Sequence, residues 1–357
     1  MSNKLFSFDL TVSLSYYTYQ LYSYNRQNEY VMGFKKEIEW DEGYHLIDGK
    51  NEIMHFRVFC NYEKDNCVVP EDHFICEIKN IIAESKVEAY KFVHQRLYKI
   101  CRTLSIIMNM YNQHKRDFQP RVEVDLDSLL WVRHEYDVNE TKKIEILPSG
   151  EVVNATYVTC HIETNVFTKG ICNINLDKFN DYFNSTDLEL NYMLDEFYLA
   201  LGKEDAHSKF FHLFSIIEFI EKKYVELSEA KALLTKAEVK EIVVHVSDLK
   251  IKSDSKIMQR ITDALRNSLT QMTDYGRVDK LVNILKNMGI NEIICLTEKV
   301  AVDKTVVSQI IKLRNCLFHG DFDELRENTG KETQSVIEKL FIICGMIIEW
   351  VADNKKL

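Results

Sequence analysis

Phe6, Phe8, Leu10, Val12, Leu14 and Tyr16 alternate with Ser7, Asp9, Thr11, Ser13 and Ser15. Successive side chains on a strand point to opposite faces, so this period of two predicts a strand with one dry and one wet face. The phase then moves to Tyr17, Tyr19 and Leu21, as a bulge or a turn into a second strand requires. Met54, Phe56, Val58, Cys60 and Tyr62 repeat the alternation, as do Val122, Val124 and Leu126, and then Val158, Cys160 and Ile162. A stretch of helical character from about Lys79 to His114 interrupts these strands. The first half is therefore expected to be α+β, with an antiparallel sheet.

From about Asn191 the period becomes helical and stays so, and no proline occurs in that half. Helices are expected over 190–201, 208–227, 230–247, 255–273, 278–288, 304–318 and 333–352. The chain thus reads as a β-rich domain with a long helix over 1–188, followed by an all-α bundle over 189–357. The boundary falls between about 180 and 195, with no Pro/Gly/Ser linker there and no repeats. The last helix carries two apolar stripes, Val336/Leu340/Ile343/Ile347/Trp350 and Phe341/Cys344/Ile348/Val351. Together they exceed one amphipathic face, which suits a helix central to its bundle or set in a subunit interface.

Composition narrows the classes. At 46% hydrophobic and 28% charged, the chain of 357 residues is globular and long enough for two domains. A formal charge of −10 excludes a generally basic nucleic-acid coat, so any phosphate-binding site must concentrate its positive charge locally. The nine cysteines are odd in number, form no C-x-x-C pair and lie mostly in apolar segments, as reduced thiols in a cytoplasm do. Neither a signal peptide nor a membrane span is indicated; the longest apolar run, Leu340 to Ile348, is far short of the roughly 20 residues a span needs. A cytoplasmic protein is expected.

The familiar catalytic patterns are missing: there is no Walker loop, dinucleotide-binding turn, nucleophile elbow or H-E-x-x-H pair. The eleven histidines show no metal-ligand spacing, and neither metal nor cofactor is expected. One segment stands apart, Gln309 to Asp321. Wound at about 100° per residue, it places Val307, Ile311, Arg314 and Phe318 on one stripe and Ser308, Lys312, Asn315 and His319 on another. Arg314 continues an apolar stripe, where a permanent charge needs a reason. Gly320 suits a C′ cap and puts His319 at the helix end, where terminal carbonyls favour imidazolium and a nearby arginine opposes it. Such a histidine is expected to titrate near neutrality. Arg314 and His319 are about 140° apart on an ideal helix. An unwound last turn, the reach of the arginine, or a second copy across a dimer axis would bring them together.

Arg314-Asn315-Cys316-Leu317-Phe318-His319 resembles the Arg-x4-6-His motif of HEPN-domain proteins, including the polar residue after Arg. The helical half is similar to the C-terminal module of ApeA-like defence proteins. Its segment Lys209 to Glu221 resembles that family's apolar helix carrying a glutamate, here Glu218. The resemblance spans roughly 190–355. It implies metal-independent endoribonuclease activity in a homodimer formed through the C-terminal domain, with two motifs facing one cleft. His319 would act as general base or acid and Arg314 would bind the scissile phosphate, while Asn315 would hold the histidine or the substrate. A setting in prokaryotic antiviral, abortive-infection defence is implied. There a toxin-like RNase would be restrained by the N-terminal module until a phage-derived activator arrives. The competing expectation is a non-catalytic HEPN-fold adaptor that binds nucleic acid or protein.

Glu218 shares a stripe with Phe211 and Phe214 and needs a partner, Arg314 being the candidate, so a positioning role is expected. Cys316 reads as a small buried thiol. Lys312, and Arg96 and Lys99 on the cationic stretch Lys91/His94/Arg96/Lys99/Arg102, are candidate RNA contacts, a solvated face being the plainer reading. Tyrosines 16, 17, 19, 22 and 24 suit strand packing better than base stacking. Asp321 and Asp323 suit a polar loop.

Overall fold

A computed structural model describes residues 4–18, 30–33, 38–45, 51–60, 73–111, 119–135, 170–173, 178–248, 255–295, 298–319 and 330–354. The chain divides into two compact units. One comprises Met1–Leu213, Ile294–Glu298 and Cys344–Leu357, the other Phe214–Ile293 and Lys299–Ile343.

The first unit is built on an antiparallel sheet. Its strands are β1 (Phe6–Thr18), β3 (Ile38–His45), β4 (Asn51–Cys60), β5 (His73–Ala83), β6 (Pro120–Val124) and β7 (Leu130–Glu135). The order is β3-β4-β5-β1, with β6 and β7 sharing the far edge of β1. β7 pairs with Phe6–Thr11 and β6 with Leu14–Thr18. The corner between them is a single 3-10 turn, Leu126–Ser128. It meets β1 where neither strand does: Ser13 N donates to Ser128 Oγ at 2.8 Å, and Asp125 N donates to Ser13 O at 2.9 Å. No backbone group of Ser13 is left wanting. A separate pair, β2 (Tyr30–Gly33) and β8 (Gly170–Asn173), is parallel.

The predicted alternation of β1 is observed. Phe8, Leu10, Val12, Leu14 and Tyr16 are buried, and the intervening polar residues are partly exposed. Helix α1 (Lys86–Tyr111) covers the dry face with Ala89, Val93, Leu97, Ile100, Cys101, Leu104 and Met108. Burial pushes the thiols of Cys76 and Cys101 well up, Glu77 adding to the effect at Cys76 and Arg121 opposing it only in part at Cys101, and both are free. Ser105 Oγ donates to Cys101 O and accepts from Val122 N at 2.7 Å, tying β6 to α1. Trp40 on β3 stacks on Phe56 and meets Phe179 and Phe183 of the short α2 (Phe179–Phe183).

Two expectations need correction. The helix expected from Lys79 begins at Lys86, because 79–83 finish β5. Between Phe8 and Leu10 the β1–β5 register slips, so that Lys79 and Asn80 together oppose Asp9. This bulge spaces Ile78, Ile81 and Ile82 like a helical stripe. Asn80 takes φ 63°, its N–H donates to Asp9 Oδ1 at 3.0 Å, and its Nδ2 donates to Ile53 O at 2.7 Å. Second, the half expected to be all-α contains a hairpin, β9 (Glu292–Cys295) with β10 (Glu298–Ala301). Four-residue strands are too short to show a period. The expected strand at 158–162, and Tyr19, Tyr22 and Tyr24, lie outside the described residues.

Helices follow: α3 (Leu188–Leu201), α4 (Ala206–Lys223), α5 (Lys236–Asp248), α6 (Ser255–Gln271), α7 (Arg277–Asn287), α8 (Lys304–His319) and α9 (Gly330–Asn354). Asp187 caps α3, accepting from Glu189 N and Leu190 N, and Asp303 caps α8 in the same way. In α9 every residue from Leu340 to Met346 except the last is buried, and Ile347 and Ile348 are buried too. That burial is reached within the single chain, as the two stripes require of a helix central to its own fold.

Candidate functional site

Helix α8 buries Val306, Val307, Ile310, Leu313 and Cys316. The stripe expected through Ile311, Arg314 and Phe318 runs along the margin of that buried face: Ile311 and Arg314 are half-buried and Phe318 is exposed. This placement resolves the oddity of a charge on an apolar stripe. The arginine stem lies at the edge of the core while its head reaches the rim, leaving the side chain 23% exposed. Asn315 and Lys312 are on the exposed side of the helix, and Cys316 is buried. His319 is the last residue of α8; its side chain, with Gly320, Asp321 and Asp323, lies outside the described residues.

Opposite Arg314 stands α4. Its inward positions Phe214, Ile217 and Ile220 are buried, so Glu218 and Glu221, three residues apart, share the neighbouring face. Arg314 Nη2 donates to Glu218 Oε1 at 3.4 Å, and its Nη1 reaches Asn315 Oδ1 at 3.5 Å. The guanidinium carbon sits 4.9 Å from the centre of the Phe318 ring, a cation–π contact. Both polar contacts are long for a charged pair, for which about 2.7–2.9 Å is usual. Both contacts orient Arg314.

A second arginine enters from α7. Arg277, its first residue, donates to Glu221 through Nε at 2.9 Å and Nη2 at 2.6 Å. Its Nη2 also lies 3.7 Å from Glu218 Oε1, the oxygen that Arg314 contacts. The carboxylates of Glu221 and Glu218 hold the Arg277 guanidinium firmly in its charged form, the Glu221 hydrogen bond weighing most. The site thus holds two guanidinium groups and two carboxylates from three helices. Neither Arg277 nor Glu221 was legible as a site residue. The spacing of the two glutamates was the available signal, and nothing around Arg277 marks it locally.

Of the remaining candidates, Arg96 and Lys99 belong to the other unit. Arg96 is already bound to Glu42, through Nε at 2.9 Å and Nη2 at 2.6 Å. Arg102, expected on the same cationic face, points inward instead, pairing with Asp195 at 2.7 Å and donating to Asn191 at 2.8 Å. The stretch is therefore not one continuous basic surface. Among the described residues no group of three or more His, Cys, Asp or Glu is placed to hold a metal ion, and no helix is long and apolar enough to cross a membrane.

Compared with known proteins, the chain matches no family model, no curated protein and no solved structure.

Proposed function

We propose that the chain is a metal-independent endoribonuclease of the HEPN type, acting in prokaryotic antiviral, abortive-infection defence through a dimeric Arg-x4-His site. The observation that carries this reading is the placement of Arg314 on the rim of α8, oriented by Glu218 from a second helix and five residues before the helix-terminal His319. A guanidinium held so presents a planar, permanent charge suited to a phosphodiester. In the reaction the ribose 2′-oxygen forms a bond to the adjacent phosphorus and the bond from phosphorus to the 5′-oxygen breaks. A base accepts the 2′-hydroxyl proton and an acid protonates the departing 5′-oxygen. His319 serves in one of these roles, and its dimer mate supplies the other. Arg314 stabilises charge on the non-bridging oxygens. The products are a 2′,3′-cyclic phosphate and a 5′-hydroxyl, and DNA, lacking the 2′-hydroxyl, is not cut.

One observation favours a second reading. The Arg314–Glu218 contact is also what a purely structural ion pair looks like, as in a non-catalytic adaptor retaining the fold. One experiment separates the two: wild type, His319→Ala and Arg314→Ala are compared on tRNA and longer RNA in EDTA, with product ends mapped. Cleavage to cyclic-phosphate ends by wild type, lost in both folded variants, establishes the ribonuclease. RNA binding without cleavage, in the presence of phage components as well as without them, establishes the adaptor.

A further inference from the structure

Helix α6 carries an apolar stripe that the single chain does not bury. At 100° per residue, Ile257, Met258, Ile261, Leu265 and Leu269 fall within about 120° of its surface, the width of a face that packs on a core. Among the described residues of α6, however, Thr262 alone is buried. Met258, Leu265 and Leu269 are half-buried, while Ile257 and Ile261 stand 51% and 42% exposed. Helix α8, of similar length, buries five residues. The neighbour of α6 is α5, which buries Val239 and Val243 and leaves Val244 48% exposed.

These side chains belong to a fixed pair of helices. At the base of the hairpin Leu233 N donates to Met272 O at 3.0 Å, and Lys231 N donates to Asp274 Oδ1 at 2.7 Å. Leu233 and Met272 are exposed there too, so uncovered apolar groups occur along the whole length of the hairpin. We propose that the α5–α6 hairpin is the docking surface for a second copy of the chain, two hairpins closing into a four-helix bundle. The inference stands apart from the chemistry at Arg314, and it supplies the second copy that the ribonuclease reading calls for.

Charge selects a second copy over an unrelated partner. Helix α5 carries Glu238, Glu241 and Asp248 against Lys236 and Lys240, whereas α6 carries Lys256, Arg260 and Arg266 against Asp263. One helix is net acidic and its neighbour net basic. A two-fold axis that sets α5 beside α6 of the second copy therefore brings unlike charges together along both contacts. Such self-complementarity is what an isologous interface requires. A partner of one sign would be attracted by one helix and repelled by the other. A bundle of four also provides the core that two helices cannot enclose. Size sets the strength. Two helices of 13 and 17 residues present an outline about 20 Å wide and 20–25 Å long. Two such faces bury about 800–1,000 Å², the small end for a specific contact, so the dimer should dissociate on dilution.

Sedimentation equilibrium of the full chain from about 0.1 to 100 µM tests this, and wild type should pass from monomer to dimer within that range. Ile257→Glu with Ile261→Glu should remain monomeric throughout. It should melt within a few degrees of wild type, because both side chains are already exposed. A second pair of changes, Lys256→Glu with Arg260→Glu, lies at exposed polar positions and does not depend on how the first variant folds. It should weaken the dimer about tenfold, and adding Glu241→Lys and Asp248→Lys should restore it, the charges having been exchanged between facing helices. A dimer unchanged in both α6 variants forms through another face and overturns the inference, while leaving a dimeric Arg314–His319 site standing. Wild type still monomeric at about 100 µM overturns it as well, and the hairpin then serves a different protein. RNA cleavage undiminished in a monomeric α6 variant would instead sink the dimeric site and leave this surface in place.

Discussion

Glu218 is the residue on which the site turns, because it touches both arginines. Its contact with Arg314 is long, and both side chains are partly exposed, at 37% and 23%. Pairs of that kind stabilise a fold by about 0–1 kcal/mol. Glu218→Gln should therefore cost less than about 1 kcal/mol in denaturant unfolding. It should do more to the chemistry. Removing the shared negative charge leaves Arg277 its pair with Glu221 and takes a carboxylate away from Arg314, so RNA affinity should rise a few-fold. Arg314 loses its orienting partner at the same time, so the rate of cleavage should fall. Unfolding midpoints measured beside anisotropy and single-turnover cleavage check this. A loss above about 2 kcal/mol with RNA affinity unchanged would make Glu218 a structural residue, since only a buried pair costs that much to break. The Arg314–Glu218 pair was legible in the sequence because each residue interrupts an apolar helical stripe. Arg277 was not: 56 residues separate it from Glu221, and no local period links a helix start to a distant carboxylate.

At the scale of elements, period carried most of the information and failed where period itself breaks. β1 and the helical second half follow from alternation and from the 3.6-residue repeat. The β5 bulge erased its own strand by converting alternation into helical spacing, and β9 and β10 are too short to register. The bulge makes its own prediction. Asn80 holds φ 63°, a conformation that asparagine and glycine tolerate and branched residues do not. It also bonds Asp9 and Ile53, and its carbonyl accepts from Tyr44 Oη at 3.0 Å. Asn80→Gly should cost about 1 kcal/mol through the lost side-chain bond, and Asn80→Val about 2–4 kcal/mol, strain being added to that loss. Equal costs in urea unfolding would count against strain at this bulge. Helix caps set a pH dependence. Hydrogen bonds from Ser208 hold the Asp205 carboxyl at the start of α4 below its ordinary range, and Thr235 does the same for Glu238 in α5. A carboxyl lowered on folding stabilises only while ionised. The contribution is complete above the unfolded value, near 4, and disappears as pH falls through the lower folded value. Stability should therefore fall below about pH 4, and Asp205→Asn should flatten that part of the melting-temperature profile.

For the whole molecule, what matters is which parts of the chain need each other in order to fold. The change of period places a break near residue 188, yet groups on both sides of that position meet within one compact unit, which continues to Leu213. Arg102 of α1, its side chain 3% exposed, pairs with Asp195 of α3. Tyr198 donates to Val122 O at 2.8 Å, and its ring stacks 4.3 Å from the Arg121 guanidinium carbon. Lys178 reaches Glu349 at 3.0 Å, and Lys209 meets Gln119. A fragment of residues 189–357 breaks all of these contacts. It also uncovers Tyr198, buried in the full chain with its ring against Tyr98 and Arg121. Full exposure costs about 1.5–3 kcal/mol for a large apolar side chain, and with the lost ion pairs and hydrogen bonds this is a sizeable part of the net stability of a domain, about 5–15 kcal/mol. The fragment should therefore melt without a cooperative transition and bind a hydrophobic dye, whereas the full chain melts sharply and does not. This bears on the idea that the N-terminal module restrains a toxic RNase. A silent fragment would report lost folding, so restraint has to be tested in the intact chain. Substitutions such as Glu39→Gln or Arg57→Gln on the sheet's wet face leave the α1–α3 contacts in place. If the module restrains the enzyme through that face, such variants should raise basal toxicity while melting within a few degrees of wild type, and His319→Ala should abolish the increase. A cooperative, soluble and silent 189–357 fragment would overturn the folding argument and the restraint idea together.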